Sequence, residues 1–189
     1  MAVQGHDVTL FERNSVVGGK LATLTRDGYS FDMGPSLLTL PHVFDELFAL
    51  VGTRLAAEVD LVRLDPQFRY RWYDAAELRV FDDDDRTAES FDALREGAGD
   101  GWRRFVERGR RIWDVADRTF FAGPMSSPIS LARRMRSPTD LTAIDPFRTL
   151  DRSARSYFDD HRLVQWAGRY ATYSGSSPYR APATLACIP

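Results

Sequence analysis

Glu12 closes a short run rich in strand formers, Asp7–Glu12 (DVTLFE), and Gly18-Gly19-Lys20 follows six residues later behind the apolar pair Val16-Val17. A carboxylate at a strand end accepts hydrogen bonds from ribose hydroxyls in dinucleotide folds, where a Gly-rich turn lies about 20 residues earlier. Only eleven residues precede Glu12, so that turn is expected to fall before Met1. Alone, Glu12 reads more simply as an ordinary strand-end glutamate. Two adjacent glycines let a backbone approach a ligand closely and leave amides free to face a pyrophosphate, with Lys20 adding positive charge. Alone, the same three residues make a plain glycine turn.

Other chemistry is poorly supported. His6, His42 and His161 have no metal-ligand spacing, since H-x3-H and H-E-x-x-H are absent, and they read as surface or packing residues. No metal site is expected. Ser174, Ser176 and Ser177 make no G-x-S-x-G elbow, because Pro178 stands where a second glycine would be needed. Cys187, in the apolar context ATLACIP, is a small core residue, and a single cysteine excludes an internal disulfide framework.

The elements that must position these residues can be read from periodicity. Met1–Gln4 is expected to end a helix and Asp7–Glu12 to form a strand. In LATLTRDGYSFD, Asp27-Gly28 between two strand-like stretches predicts a hairpin with a type I′ turn. Pro41 opens an amphipathic helix, PHVFDELFALVG, closed by Gly52. A strand is expected at Leu61–Leu64. A second hairpin is expected from Phe68–Tyr73 and Glu77–Phe81, with Phe68, Tyr70 and Trp72 alternating at strand period. The acidic run Asp82–Asp85 reads as a loop and a boundary.

Beyond residue 85 the pattern becomes helical. Trp102, Phe105, Val106, Gly109, Ile112, Trp113, Ala116 and Phe120 recur at three- and four-residue spacing, giving one apolar stripe. Its other face carries Arg103, Arg104, Arg108, Arg110 and Arg111. With Arg133–Arg136 and the interleaved Trp102, Trp113, Leu131 and Met135, that face could rest on an anionic membrane surface. The competing reading is a solvated face with Glu107 and Asp114 as counter-charges. Shorter helical patterns follow around Ser130–Arg136, Pro146–Phe158 and His161–Tyr170. The organisation expected is an α/β region over residues 1–85 and a mostly helical region over 86–189.

The composition narrows the class. The 189 residues are 43 % hydrophobic and 28 % charged, the profile of a globular chain with a sizeable core. Net charge is −2, which argues against nucleic acid as a partner. Lys20 is the only lysine among 25 basic residues. No run approaches the roughly 18 apolar residues of a membrane span, and the N-terminus lacks the apolar core of a signal peptide. A cytoplasmic location is expected, with peripheral contact at the inner face of the cytoplasmic membrane as the alternative.

The pieces together carry a resemblance that none carries alone. GHDVTLFERNSVVGGKLATLTRDGYSFDMGPSLLTLP resembles the second-strand region of FAD-dependent oxidoreductases of the amine-oxidase superfamily, and more narrowly phytoene desaturase-type carotenoid desaturases. Glu12, Gly18, Gly19 and Lys20 match that family's Glu-x5-Gly-Gly-Lys/Arg segment, and Phe31, Asp32, Gly34 and Pro35 match its FD-x-GP phrase. RYATYSGSSPYRAPATLACIP is similar to a phrase of the hydroxyneurosporene (hydroxycarotenoid) branch. The resemblance implies a partial FAD-binding Rossmann-like domain lacking its first strand and Gly-rich turn, followed by a mostly helical part of a substrate domain. It implies that Glu12 binds the adenosine ribose with Arg13 near the same half of the nucleotide. Gly18, Gly19 and Lys20 would line the pyrophosphate path, and Gly34, Pro35 and Ser36 would lie near the isoalloxazine. It assigns no catalytic acid or base. The implied reaction is removal of hydride from a carotene C–H by FAD, with a lipophilic carotenoid as substrate. Because family members are much longer, the chain by itself is expected to bind FAD poorly and to be inactive. The alternatives are a non-catalytic remnant or interaction module that binds no flavin, or another flavoprotein of the superfamily.

Overall fold

The computed structural model of the chain describes residues 1–35, 37–124 and 127–189. They form two compact units, Met1–Val62 and Arg63–Pro189. Both mix helices with two-stranded antiparallel hairpins.

In Met1–Val62, strands β1 (Thr23–Arg26) and β2 (Tyr29–Asp32) pair with Thr23 opposite Asp32 and Arg26 opposite Tyr29. Asp27 and Gly28 take φ of 52° and 81°, both in the left-handed region, as a type I′ turn requires. The bond from Met33 N to Ala22 O, 2.9 Å, extends the ladder by one step at its base. Helix α1 (Pro41–Ala49) starts on its proline as expected, and the chain turns away at Gly52, φ 79°. A single turn, α2 (Leu55–Glu58), follows, with Leu55 N donating to Asp45 Oδ1 at 3.0 Å.

Two strand expectations fail here. Asp7–Glu12 and Leu61–Leu64 have no ladder partner among the described residues. A run of strand formers becomes a strand only when neighbouring backbone takes up its N–H and C=O groups, and none does. The side chains show the same thing: Leu10 is 75 % and Phe11 93 % exposed. Met1–Gln4 is not the end of a long helix but one 3₁₀ turn, Ala2–Gln4, stopped by Gly5 at φ 84°. Leu55 is the one buried side chain among the described residues of this unit.

Arg63–Pro189 is built differently. Strands β3 (Phe68–Arg71) and β4 (Glu77–Val80) form the second expected hairpin, with Tyr70 opposite Leu78. The acidic run expected as a loop instead starts a helix, α3 (Asp84–Leu94). Asp83 accepts from Arg86 N at 2.8 Å, and Asp84 and Asp85 sit in the first turn, where carboxylates complement the helix dipole. Helix α4 (Ala98–Ala116) carries the apolar stripe read from sequence, with Trp102, Phe105, Ile112 and Val115 buried. It ends in a π-helical turn, Asp117–Phe121, where Thr119 Oγ1 donates to Val115 O. The arginine face of α4 is ion-paired: Arg103 with Asp85 at 2.8 Å, Arg110 with Asp84 at 2.6 Å, and Arg111 with Glu107. Arg108 lies 3.6 Å from Asp145. Two of these four carboxylates, Asp84 and Asp85, come from the first turn of α3, and among the described residues Asp114 contributes only its backbone carbonyl, to Arg118.

Four short helices complete the unit: α5 (Pro128–Arg134), α6 (Pro138–Ala143), α7 (Leu150–Ala154) and α8 (His161–Gly168). Ser137, Thr149 and Asp160 cap the last three. The broad helical pattern over Pro146–Phe158 shrinks to α7, and His161–Tyr170 resolves into α8 followed by a 3₁₀ segment, Arg169–Ser174. The C-terminal segment is tied back by Leu150 N to Ala181 O and Ala183 N to Arg148 O. At the centre, Trp166 meets Phe91 edge-on at 4.9 Å, Phe105 at 5.7 Å and Phe158 at 6.0 Å. Phe91, Phe105 and Trp166 are each under 3 % exposed.

This core sets two expectations. Phe91→Ala removes a ring packed on three aromatic neighbours and lowers unfolding stability by about 3–5 kcal/mol, while Phe147→Ala, at a site 90 % exposed, leaves the urea midpoint unchanged. The second concerns acid. The Arg162 guanidinium holds Asp160 below the usual carboxylate range, and the Arg136 N–H with Arg118 does the same for Asp140. A folded-state pKa below the unfolded one stabilises at pH above the ordinary carboxylate range, and that stabilisation is lost as pH falls through the folded value. Asp160→Asn, which keeps the cap, is therefore expected to flatten the drop in urea midpoint below about pH 4.

Candidate functional site

The β1–β2 hairpin assembles the candidate site. Its base holds Ala22 beside Met33, so the segment before β1 and the segment after β2 must run together. The first is the glycine turn. Gly18 has φ 117° and Gly19 φ 55°, with Leu21 N bonding Gly18 O at 2.9 Å and Ala22 N bonding Gly19 O at 3.2 Å. The second is Gly34-Pro35. A side chain at Gly34 would collide with the Lys20 carbonyl, a backbone group that cannot swing aside, and would also touch Leu21 Cα. Gly34 is thus a glycine because two backbone segments meet there.

Among the described residues, the backbone N–H groups of Gly18, Gly19 and Lys20 donate to no protein acceptor, and all three residues are exposed. Consecutive free amides on a left-handed turn form a concavity suited to an anion, with Lys20 supplying charge. Glu12 Oε1 accepts from Asn14 N at 2.7 Å and from Asn14 Nδ2 at 2.8 Å, which holds the carboxylate in its own turn. Glu12 and Arg13 are exposed. The structure therefore joins Gly18, Gly19 and Lys20 to Gly34 and places Glu12 in a separate local turn; Ser36 lies outside the described residues.

The remaining candidates have structural roles. Ser174 Oγ donates to Ala171 O, and Ser177 Oγ accepts from Tyr179 N. His6, His42 and His161 are exposed. Burial raises the Cys187 thiol above its ordinary range, as suits a packing residue. Among the described residues no group of His, Cys, Asp or Glu could hold a metal ion, and no helix is long and apolar enough to cross a membrane. One cluster escaped the sequence reading: Arg169 lies over the rings of Phe68, Tyr70 and Tyr170. The strand alternation of Phe68 and Tyr70 was its only visible trace.

Residues 1–160 match the family of flavin-containing amine oxidoreductases, and the chain belongs to that family. Among curated relatives, it is 35 % identical to a hydroxyneurosporene desaturase of Cereibacter sphaeroides, with 100 % of the chain and 38 % of that protein covered. It is 32 % identical to a 4,4'-diapolycopene oxygenase of Methylomonas sp, again over 100 % of the chain and 38 % of the relative. A phytoene dehydrogenase of Streptomyces griseus is 34 % identical over 97 % of the chain and 36 % of its own length. The chain thus spans less than two fifths of the relatives it matches.

The close approach at Gly34 gives a local test. Gly34→Ala is expected to cost about 1–3 kcal/mol at the hairpin base. Faster amide exchange at Met33 and Ala22, with exchange in α4 and α8 unchanged, is the signature to measure.

Proposed function

We propose that the chain carries part of the flavin-nucleotide site of an FAD-dependent oxidoreductase acting on a carotenoid. The observation that supports it most is the seating of Gly34 against the Lys20 carbonyl, which joins the two glycine phrases into one backbone surface. The residues fit such a ligand in part. The free amides of Gly18, Gly19 and Lys20 suit a pyrophosphate, and the exposed Glu12 carboxylate suits ribose hydroxyls once it releases Asn14. In this reading Arg13 adds charge beside the nucleotide, and Gly34-Pro35, with Ser36 next to it, borders the ring end. FAD, when bound, supplies the redox chemistry by accepting hydride from a substrate C–H. The relatives that carry the names of carotenoid desaturases and oxygenases, matched along the whole chain, support a lipophilic polyene as substrate.

The exposed Val8, Leu10 and Phe11, with the exposed Leu47 of α1 and Leu50 at its C-cap, are apolar surface that tight flavin binding would need covered. In Arg63–Pro189, Trp113 and Phe121 lie 5.4 Å apart, Phe121 and Ile129 are each 66 % exposed, and Arg133 is exposed. That combination suits peripheral contact with an anionic membrane, where a carotenoid resides.

The expected behaviour of the 189-residue chain follows. Purified alone, it carries no stoichiometric flavin absorbance and does not desaturate phytoene or a hydroxycarotenoid; added FAD binds weakly, and Glu12→Ala weakens it further. Flavin absorbance of the purified protein and flavin fluorescence quenching on titration are the measurements. A yellow, stoichiometric and active chain would show that no further segment is needed. Absence of FAD quenching at any concentration would favour a module that binds no flavin.

A further inference from the structure

Arg169 stands apart from the other arginines that Arg63–Pro189 buries in part. Arg118, Arg148 and Arg162 donate to carboxylates, and Arg134 donates to the carbonyls of Thr119, Gly123 and Pro124. Among the described residues no carboxylate or carbonyl oxygen accepts from the Arg169 side chain, and its Nε and Nη2 are sealed from solvent without a partner. Aromatic faces surround it: the Tyr170 ring centroid is 4.6 Å from Cζ, Phe68 5.0 Å and Tyr70 5.2 Å. Its polar neighbours are the hydroxyls of Tyr170, Tyr70 and Tyr173, and the Tyr70 hydroxyl is buried without a partner. Burial pushes the Tyr170 phenol well above its ordinary range, so it stays protonated and able to donate.

Ring faces offset part of the cost of burying a guanidinium, but they accept none of its in-plane hydrogen bonds. A desolvated positive charge with unpartnered N–H groups and adjacent phenolic hydroxyls is the chemistry that binds anionic oxygen. The surrounding charges do not compensate it. Arg69 and Arg71 alternate to the other face of β3, where they pair with Glu77, and Arg162 is neutralised by Asp160 and Asp74. Nη1 is not sealed as Nε and Nη2 are. Tyr173, stacked on Tyr170 at 6.0 Å and 60 % exposed, forms the outer wall.

We propose that Arg169, with the hydroxyls of Tyr70 and Tyr170, forms a recessed binding site for an oxyanion group, a carboxylate or a phosphate. The site lies wholly within Arg63–Pro189 and does not depend on the flavin reading.

The test is a titration of the full chain with sodium phosphate, sodium acetate or sodium chloride at matched ionic strength. The readout is the Nε–H resonance of Arg169, assigned by its loss in Arg169→Gln or, should that variant not fold, in Arg169→Lys. A saturable displacement by phosphate, acetate or both, absent with chloride, is expected; which anion saturates tells phosphoryl from carboxylate recognition. Tyr70→Phe keeps the ring and its packing but removes a donor, and is expected to weaken binding about tenfold. No saturable displacement by either oxyanion, or an affinity unchanged in Tyr70→Phe, would overturn the proposal.

Discussion

The edge-on packing of Phe91, Phe105 and Phe158 around Trp166 is the interaction on which Arg63–Pro189 depends. These rings come from α3, α4, the segment after α7, and α8, so one cluster ties the consecutive helices α3 and α4 to the later α7–α8 part of the chain. Aromatic pairs in this geometry contribute beyond their buried area, because the positive ring edge meets a negative face. The hairpin β3–β4 joins through Leu78, which is fully buried, and through the bond from Trp72 Nε1 to Gln165 Oε1 at 2.7 Å. The ion pairs between α3 and α4 lie on the solvent side of the same contact, where each adds at most about 1 kcal/mol.

Met1–Val62 rests on a different constraint. It has almost no buried apolar surface, and its order comes from local backbone chemistry: a type I′ turn, a glycine turn, and the contact of Gly34 with the Lys20 carbonyl. Those features also shape the candidate site. A surface of free amides and close-packed backbone is what a phosphate-bearing cofactor requires, and side chains other than glycine would fill it.

What the sequence revealed tracks the range of the interaction involved. Asp27-Gly28, Pro41 and the α4 stripe were legible because a turn type, a helix start and a 3.6-residue period are written in adjacent residues. Asp82–Asp85 looks like a loop because repeated carboxylates look solvated, although Asp83 is the N-cap of α3 and Asp84 and Asp85 fill its first turn. Asp7–Glu12 and Leu61–Leu64 have strand composition, but pairing needs a neighbour that local sequence does not supply. At the site, Gly18, Gly19 and Gly34 were legible as motif residues, whereas their meeting depends on hairpin register. The Arg169 cluster was hidden because it joins residues about a hundred positions apart.

Nucleotide binding at the joined glycine phrases is the proposal on which the flavin reading rests. Amide hydrogen exchange of the full chain with and without excess ADP tests it most directly, since ADP presents the ribose and pyrophosphate without the ring. Slowed exchange is expected at the amides of Gly18, Gly19 and Lys20. Unchanged exchange at these three amides under saturating ADP would contradict nucleotide binding there.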